Sequence, residues 1–198
     1  MFIDYVPLML INMAAGLVVL ACYVYWGLNS ENQNRWPVAF GMTGVIALVT
    51  GLHMIFTWPL PAVYNITHGE LSVFFGIIFL GAAIAIAKRW DLLIIAVYAF
   101  FAGLAAIVIG VRMIDLKLTL SPVLSGIGFI LSGSAGVLAA PALVLRSNRT
   151  CRILSVIVLL SAAAIWGITG YIGYWEHLKG FGKWMPATMR MAQSPPSK

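Results

Sequence analysis

The chain has 198 residues, of which 62% are apolar and only 9% charged, with a formal net charge of +6. A soluble domain carries roughly 25% charged residues, and one core of this size cannot hide such an apolar excess, so lipid must solvate much of it. The apolar runs are long and unbroken, which excludes a β-barrel built from alternating segments of about 10 residues. The positive charge reads as a membrane-side bias and not as a nucleic-acid footprint. The expected fold is all-α, a polytopic transmembrane helix bundle of about six helices over residues 1–175, with a basic, aromatic tail over 176–198.

Six segments are long enough, at about 20 residues each, to cross a hydrocarbon core. The first spans Val6 to Leu28 and ends in Tyr23, Tyr25 and Trp26, an interfacial belt. With no basic stretch before it and no A-x-A site after it, this segment reads as a retained helix and not a cleaved signal. Pro37 suits the first turn of the second segment, which runs to Trp58 and stops at Pro59 and Pro61. Thr67 and Glu70 form a capping-box pattern before the third segment, which runs to Ala87. The fourth spans Leu92 to Gly110, the fifth Pro122 to Leu145 and the sixth Ile153 to Trp175.

Three connections on one side hold Arg35, Lys88, Arg89, Arg146, Arg149 and Arg152, whereas the other side holds Arg112 and Lys117 before the tail. Six against two predicts that the first side is cytoplasmic and that both termini lie on the non-cytoplasmic side of a cell membrane. The run Gly51, His53, Met54 in the second segment also matches Gly110, Arg112, Met113 in the fourth. In the same way Gly76, Gly81, Ala83 in the third segment match Gly128, Gly133, Ala135 in the fifth. Two readings stand: a repeat of two parallel hairpins, or chance similarity between low-complexity apolar helices.

The scarce polar residues are unevenly placed. His53, His68 and His177 all fall on the outer half, as do Asp4, Glu70, Asp115 and Glu176. His53 lies inside an apolar helix, and ionisable groups at depth tend to face a bundle interior or a cavity. Imidazole is a common metal ligand and an axial haem ligand. His53 and His68 are therefore candidate cofactor ligands, for a haem b or a transition metal, with Glu70 as a third metal ligand. The bland alternatives are a neutral histidine bonded to a neighbouring helix and, for Thr67 and Glu70, capping alone. Asn12 is a second intramembrane polar residue; Arg112 and Asp115 can pair, and Asp4 can cap the first helix. Met9, Met13, Met42, Met54 and Met113 read as packing filler. Ser125, Ser132 and Ser134, among four glycines, make the fifth helix small-faced, which suits close helix packing. Cys22 and Cys151 make neither a disulfide framework nor a metal spacing.

The stretch from Gly51 through His53, Met54, Phe56, Thr57, Trp58, Pro59 and Pro61 to Tyr64, Asn65 and Glu70 has a recognisable pattern. With Ala99–Leu104 and Leu124–Phe129, it resembles a prokaryotic family of predicted membrane proteins of unknown function, domain of unknown function 981. The resemblance covers about Ile3 to Leu145; the sixth helix and tail look more individual. It implies a polytopic membrane fold, marks His53, Trp58, Tyr64 and Glu70 as positions of interest, and supplies no reaction.

The leading functional expectation is an integral membrane subunit of a respiratory or other redox complex, holding a haem or metal near the outer face. Its partners would be the lipid bilayer and other membrane subunits, or further copies of itself. The alternatives are a structural or assembly subunit without cofactor and a small-solute channel or carrier. The last needs a polar path, for which the sequence offers mainly Thr50, Ser125, Ser132 and Ser134.

Overall fold

A computed structural model describes residues 4–61 and 63–180. The described residues are all helical apart from turns: α1 (Tyr5–Gly27), α2 (Trp36–Thr57), α3 (Asn65–Lys88), α4 (Leu93–Asp115), α5 (Pro122–Val137), α6 (Ala139–Val144) and α7 (Arg149–Gly180). Of these, α1, α2, α3, α4 and α7 are long and apolar enough to cross a membrane. The fifth segment expected from the sequence, Pro122 to Leu145, is instead divided between α5 and α6, neither long enough to count among these five. The break has a covalent cause: Pro141 has no N–H and its ring crowds the carbonyl four residues earlier, at Val137, where α5 ends.

The helices close a ring in the order α1, α2, α3, α4, α5, α7 and back to α1. Three antiparallel pairs carry most of the contact: α2 with α3, α4 with α5, and α1 with α7. Glycine explains why the first two pairs pack so tightly. A Cβ on Gly76 would lie 2.5 Å from the Leu48 amide nitrogen and 2.9 Å from the Gly44 carbonyl oxygen. One on Gly51 would lie 2.9 Å from the Gly69 carbonyl oxygen. In the second hairpin a Cβ on Gly133 would lie 2.5 Å from the Gly103 carbonyl, and one on Gly126 2.6 Å from that of Gly110. Backbone meets backbone at each site, which only small residues permit.

These pairs establish the internal repeat and correct its register. Gly44 and Gly51 on α2 correspond to Gly103 and Gly110 on α4; Gly69 and Gly76 on α3 correspond to Gly126 and Gly133 on α5. All four pairs are spaced by seven residues, the period that keeps a seam facing an antiparallel neighbour. The match of Gly51 to Gly110 stands, whereas Gly76 pairs with Gly133 and not with Gly128. Local similarity selected the wrong glycine because α5 has one more glycine than α3. Gly128 instead makes room for Trp166, whose ring would lie 2.8 Å from a Cβ there.

Several local expectations are also revised. Residues 63–64 are already helical and Asn65–Glu70 form a π-helical turn, so Thr67 and Glu70 do not cap α3. The Thr67 hydroxyl instead reaches the Tyr64 carbonyl and the His68 ring. The buried Asn65 side chain holds the preceding Pro59–Pro61 turn, accepting from the Leu60 amide at 3.1 Å and donating to the Leu60 carbonyl. Asp4 makes no capping bond to α1; its carboxylate meets His177 Nδ1 at 2.7 Å, joining the start of α1 to the end of α7. The last helix continues to Gly180, through the first residues expected in the tail, because Glu176–Gly180 contain no proline and prolong α7 by about a turn. The rest of the tail, 181–198, lies outside the described residues.

Candidate functional site: a cavity between a histidine end and a basic end

The ring has two unlike ends. At one, the histidine end, lie Asp4, His53, Tyr64, His68 and His177; at the other, the basic end, lie Arg35, Lys88, Arg89, Arg146, Arg149 and Arg152. Toward the histidine end the centre is filled. Trp166 is 2% exposed, Met113 1% and Phe129 4%, and Leu10, Leu17 and Leu71 belong to the same cluster. The Phe129 and Trp166 rings meet edge to face at 4.8 Å, and Trp166 Nε1 donates to the Ser132 hydroxyl at 2.9 Å. A buried indole N–H needs such a partner.

His68 closes this end from above. Its ring is buried, 5.7 Å from that of Phe129 and 6.1 Å from that of Tyr64, and its Nδ1 lies 2.9 Å from the Thr67 hydroxyl. Tyr64 reaches across to the other hairpin, donating to the Leu118 carbonyl at 2.6 Å. His53 belongs to a separate arrangement: its Nδ1 is hydrogen-bonded to the buried Tyr5 hydroxyl at 2.5 Å, with the Thr57 hydroxyl 3.4 Å away. His53 therefore ties α2 to α1, and His68 ties the head of α3 to the core below it.

The remaining candidates are distributed around this frame. Asn12 is buried and donates to the Thr43 carbonyl at 3.0 Å, linking α1 to α2. Trp58 is half exposed and ends α2 in the left-handed conformation (φ 46°). Arg112 and Asp115 form an exposed ion pair at 2.5 Å, at the repeat position matching His53. Glu70 is exposed whereas His68 two residues earlier is buried. Among the described residues no three His, Cys, Asp or Glu side chains converge as a metal site. The structure thus does not gather His53, His68 and Glu70 into one ligand set. The reason is rotational: the three project from different faces of two helices, and each histidine nitrogen that is engaged already has a neighbour.

Toward the basic end the centre opens into an apolar cavity of about 470 Å³, to which α1 to α7 all contribute walls. Small side chains create it: Ala82 on α3 and Ala96, Ala99, Ala102 and Ala106 on α4 face it, and α6, after the break at Leu138, adds Ala139 and Ala142. Tyr23, Phe40, Phe75 and Phe79 form an aromatic wall opposite, and Leu28, Leu92, Leu145 and Cys151 show that the cavity reaches the basic rim. Helix hydroxyls do not make it polar. Ser132 donates to the Gly128 carbonyl at 2.8 Å, Ser134 to that of Ile130 at 2.7 Å and Ser155 to that of Cys151 at 2.9 Å. Thr50 is likewise turned back on its own helix, onto the Ile46 carbonyl. Sequence reasoning missed the cavity and, apart from it, Trp166 in the core and Tyr5 beside His53. The alanine run on α4 was the available signal, because alanine every three or four residues leaves a helix face without volume.

Comparison with curated proteins and with solved structures finds no match. Over residues 1–180 the sequence matches the family described as Protein of unknown function (DUF981). This match includes α7, so the last helix is part of the shared pattern and not an individual addition. The chain belongs to the DUF981 family, as an all-helical bundle with the apolar spans of a multi-pass membrane protein.

Proposed function

We propose that this protein is an integral membrane subunit that holds an apolar, lipid-like molecule in the centre of its bundle. The cavity carries the reading: about 470 Å³ of apolar space walled by every helix, within the roughly 300–1,000 Å³ of ligand sites. Protein interiors are otherwise close-packed. Apolar space left without contacts destabilises in proportion to its volume, so a filler is favoured. Hydrocarbon is the filler that a bilayer supplies.

Native mass spectrometry of the protein in mild detergent tests this. A bound lipid-like molecule is expected on the wild-type chain and not on Ala102→Phe, which fills the cavity. Wild-type protein that carries no such molecule, and takes none up from added lipid, would end the proposal.

A redox-complex subunit with a haem b or metal near the histidine end is the second reading. It is favoured by one observation, the buried imidazole of His68 against the ring of Phe129, a residue of the cavity wall. An absorption spectrum and metal analysis of the purified protein decide it, since neither a Soret band nor a stoichiometric metal would leave it without a cofactor. For placement in a cell membrane we propose the basic end in the cytoplasm, on the six-to-two excess of lysine and arginine. Both ends of the chain then face the opposite side, which terminal reporter fusions would check.

A further inference from the structure

We propose that the occupant of the cavity is an anionic lipid, with one chain inside the bundle and its phosphate at the basic mouth, on Arg146 and Arg152. This rests on the cavity being a ligand site and adds the chemistry of its opening.

The mouth is built from the segment joining α6 to α7. Leu145, Cys151 and Ser155 line the cavity, and Arg146 and Arg152 stand directly beside them in the chain. Arg146 is exposed, yet its charge lies within electrostatic reach of the phenol of Tyr23, which is part of the cavity wall. Arg152 is half-buried, and its Nε is shielded from solvent with no hydrogen-bond partner among the described residues. A second shielded donor, Trp36 Nε1, is also without a partner there; its ring packs edge-on against Tyr23 at 5.3 Å. Buried donors cost free energy until an acceptor reaches them.

No acceptor among the described residues meets these donors, and a shielded acceptor at the same end, Gln33 Oε1, is itself without a partner. Of the two carboxylates at the basic end, Asp91 accepts from the Leu93 amide at the start of α4, and Glu31 shares a surface recess with Arg89. Among the described residues no ion pair involves Arg146, Arg149 or Arg152. A phosphate monoester or diester offers several acceptor oxygens and suits guanidinium geometry, and the bilayer presents such groups at the depth where these arginines lie. An apolar cavity ending in unpaired guanidinium groups is complementary to one molecule with both characters, a hydrocarbon chain carrying an anionic head.

The test uses the full-length protein in a neutral detergent, titrated separately with dodecyl phosphate, dodecanol and inorganic phosphate and followed by thermal unfolding. Dodecyl phosphate is expected to bind tightest, dodecanol weakly, and inorganic phosphate not measurably. Replacing Arg146 and Arg152 by Gln should weaken dodecyl phosphate by roughly tenfold or more, the worth of a charge-assisted hydrogen bond, and leave dodecanol unchanged. Ala102→Phe should abolish binding of both amphiphiles.

An unchanged preference for dodecyl phosphate in the double variant would overturn the arginine assignment while leaving the cavity reading intact. Wild-type protein that binds neither amphiphile would end both. Inorganic phosphate binding as tightly as the amphiphile would mean a free anion and not a lipid, which also overturns the proposal. Should the double variant fail to fold, the exposed single variant Arg146→Gln and the wild-type ranking of the three ligands still decide it.

Discussion

The two hairpins, α2–α3 and α4–α5, share a backbone solution and differ in nearly everything attached to it. Each is held by two glycine pairs seven residues apart, and Met54 and Met113 occupy the same repeat position, almost fully buried in both. Beyond the last glycine pair, toward the basic end, they diverge. In the first hairpin the next contact is Phe40 on Phe79, with ring centroids 5.1 Å apart; in the second it is Gly136, where a Cβ would lie 2.7 Å from the Ala99 carbonyl. Large rings on one side and almost no side chain on the other leave the space between the hairpins unfilled. At the opposite end the repeat position holds His53 bonded to Tyr5 in one hairpin and an exposed Arg112–Asp115 pair in the other. A duplicated frame therefore supplies rigidity, and the unequal residues around it supply a cavity and a polar end.

Five substitutions would break or sharpen this comparison. The largest effect is expected for Phe79→Ala, which removes the aromatic contact that distinguishes the first hairpin and extends the cavity. A loss of about 3–5 kcal/mol is expected by denaturant unfolding of the purified protein, and a loss near zero would mean that the wall relaxes to fill the space. Gly133→Ala and Gly76→Ala come next. Each places a Cβ within 2.5 Å of a backbone atom, and overpacking costs roughly 1–3 kcal/mol. Similar losses in the two variants would support equivalent hairpins, and a loss in only one would show that the repeat is unequal in energy as well as in sequence.

Tyr5→Phe removes the partner of His53 on the first hairpin and should cost about 1 kcal/mol, the net worth of a hydrogen bond. Hydrogen exchange at the end of α2 would report it, and unchanged protection would show that His53 needs no partner. The smallest effect belongs to Asp115→Asn at the matching position of the second hairpin. Exposed ion pairs contribute between about 0 and 1 kcal/mol, so unfolding should hardly change, and a loss as large as that of Tyr5→Phe would erase the contrast between the two positions.

The membrane class, the long apolar helices and the likeness of the two hairpins were legible because each rests on composition or on short-range pattern. The pairing of Gly51 with Gly110 was legible for the same reason: the identical neighbours Met54 and Met113 follow at the same distance. The pairing of Gly76 was not. Local identity favoured Gly128, and only the contact between α4 and α5 shows that Gly133 keeps the seven-residue seam while Gly128 faces Trp166. Polar residues were found more readily than their partners. His53, His68, Asn12 and Asp4 stand out in an apolar sequence, yet Tyr5, Thr67, the Thr43 carbonyl and His177 complete them from positions that sequence distance does not reveal.

By itself, then, the sequence determined that this chain lives in lipid and crosses it as helices, because solvation of apolar side chains and backbone hydrogen bonding are decided locally. It also marked the small-faced fifth segment as one that packs closely, since small residues let backbones approach. Only the tertiary structure decided what lies between the hairpins. A cavity is the volume that side chains from seven helices fail to fill, and whether an alanine face meets another helix or open space depends on the whole ring.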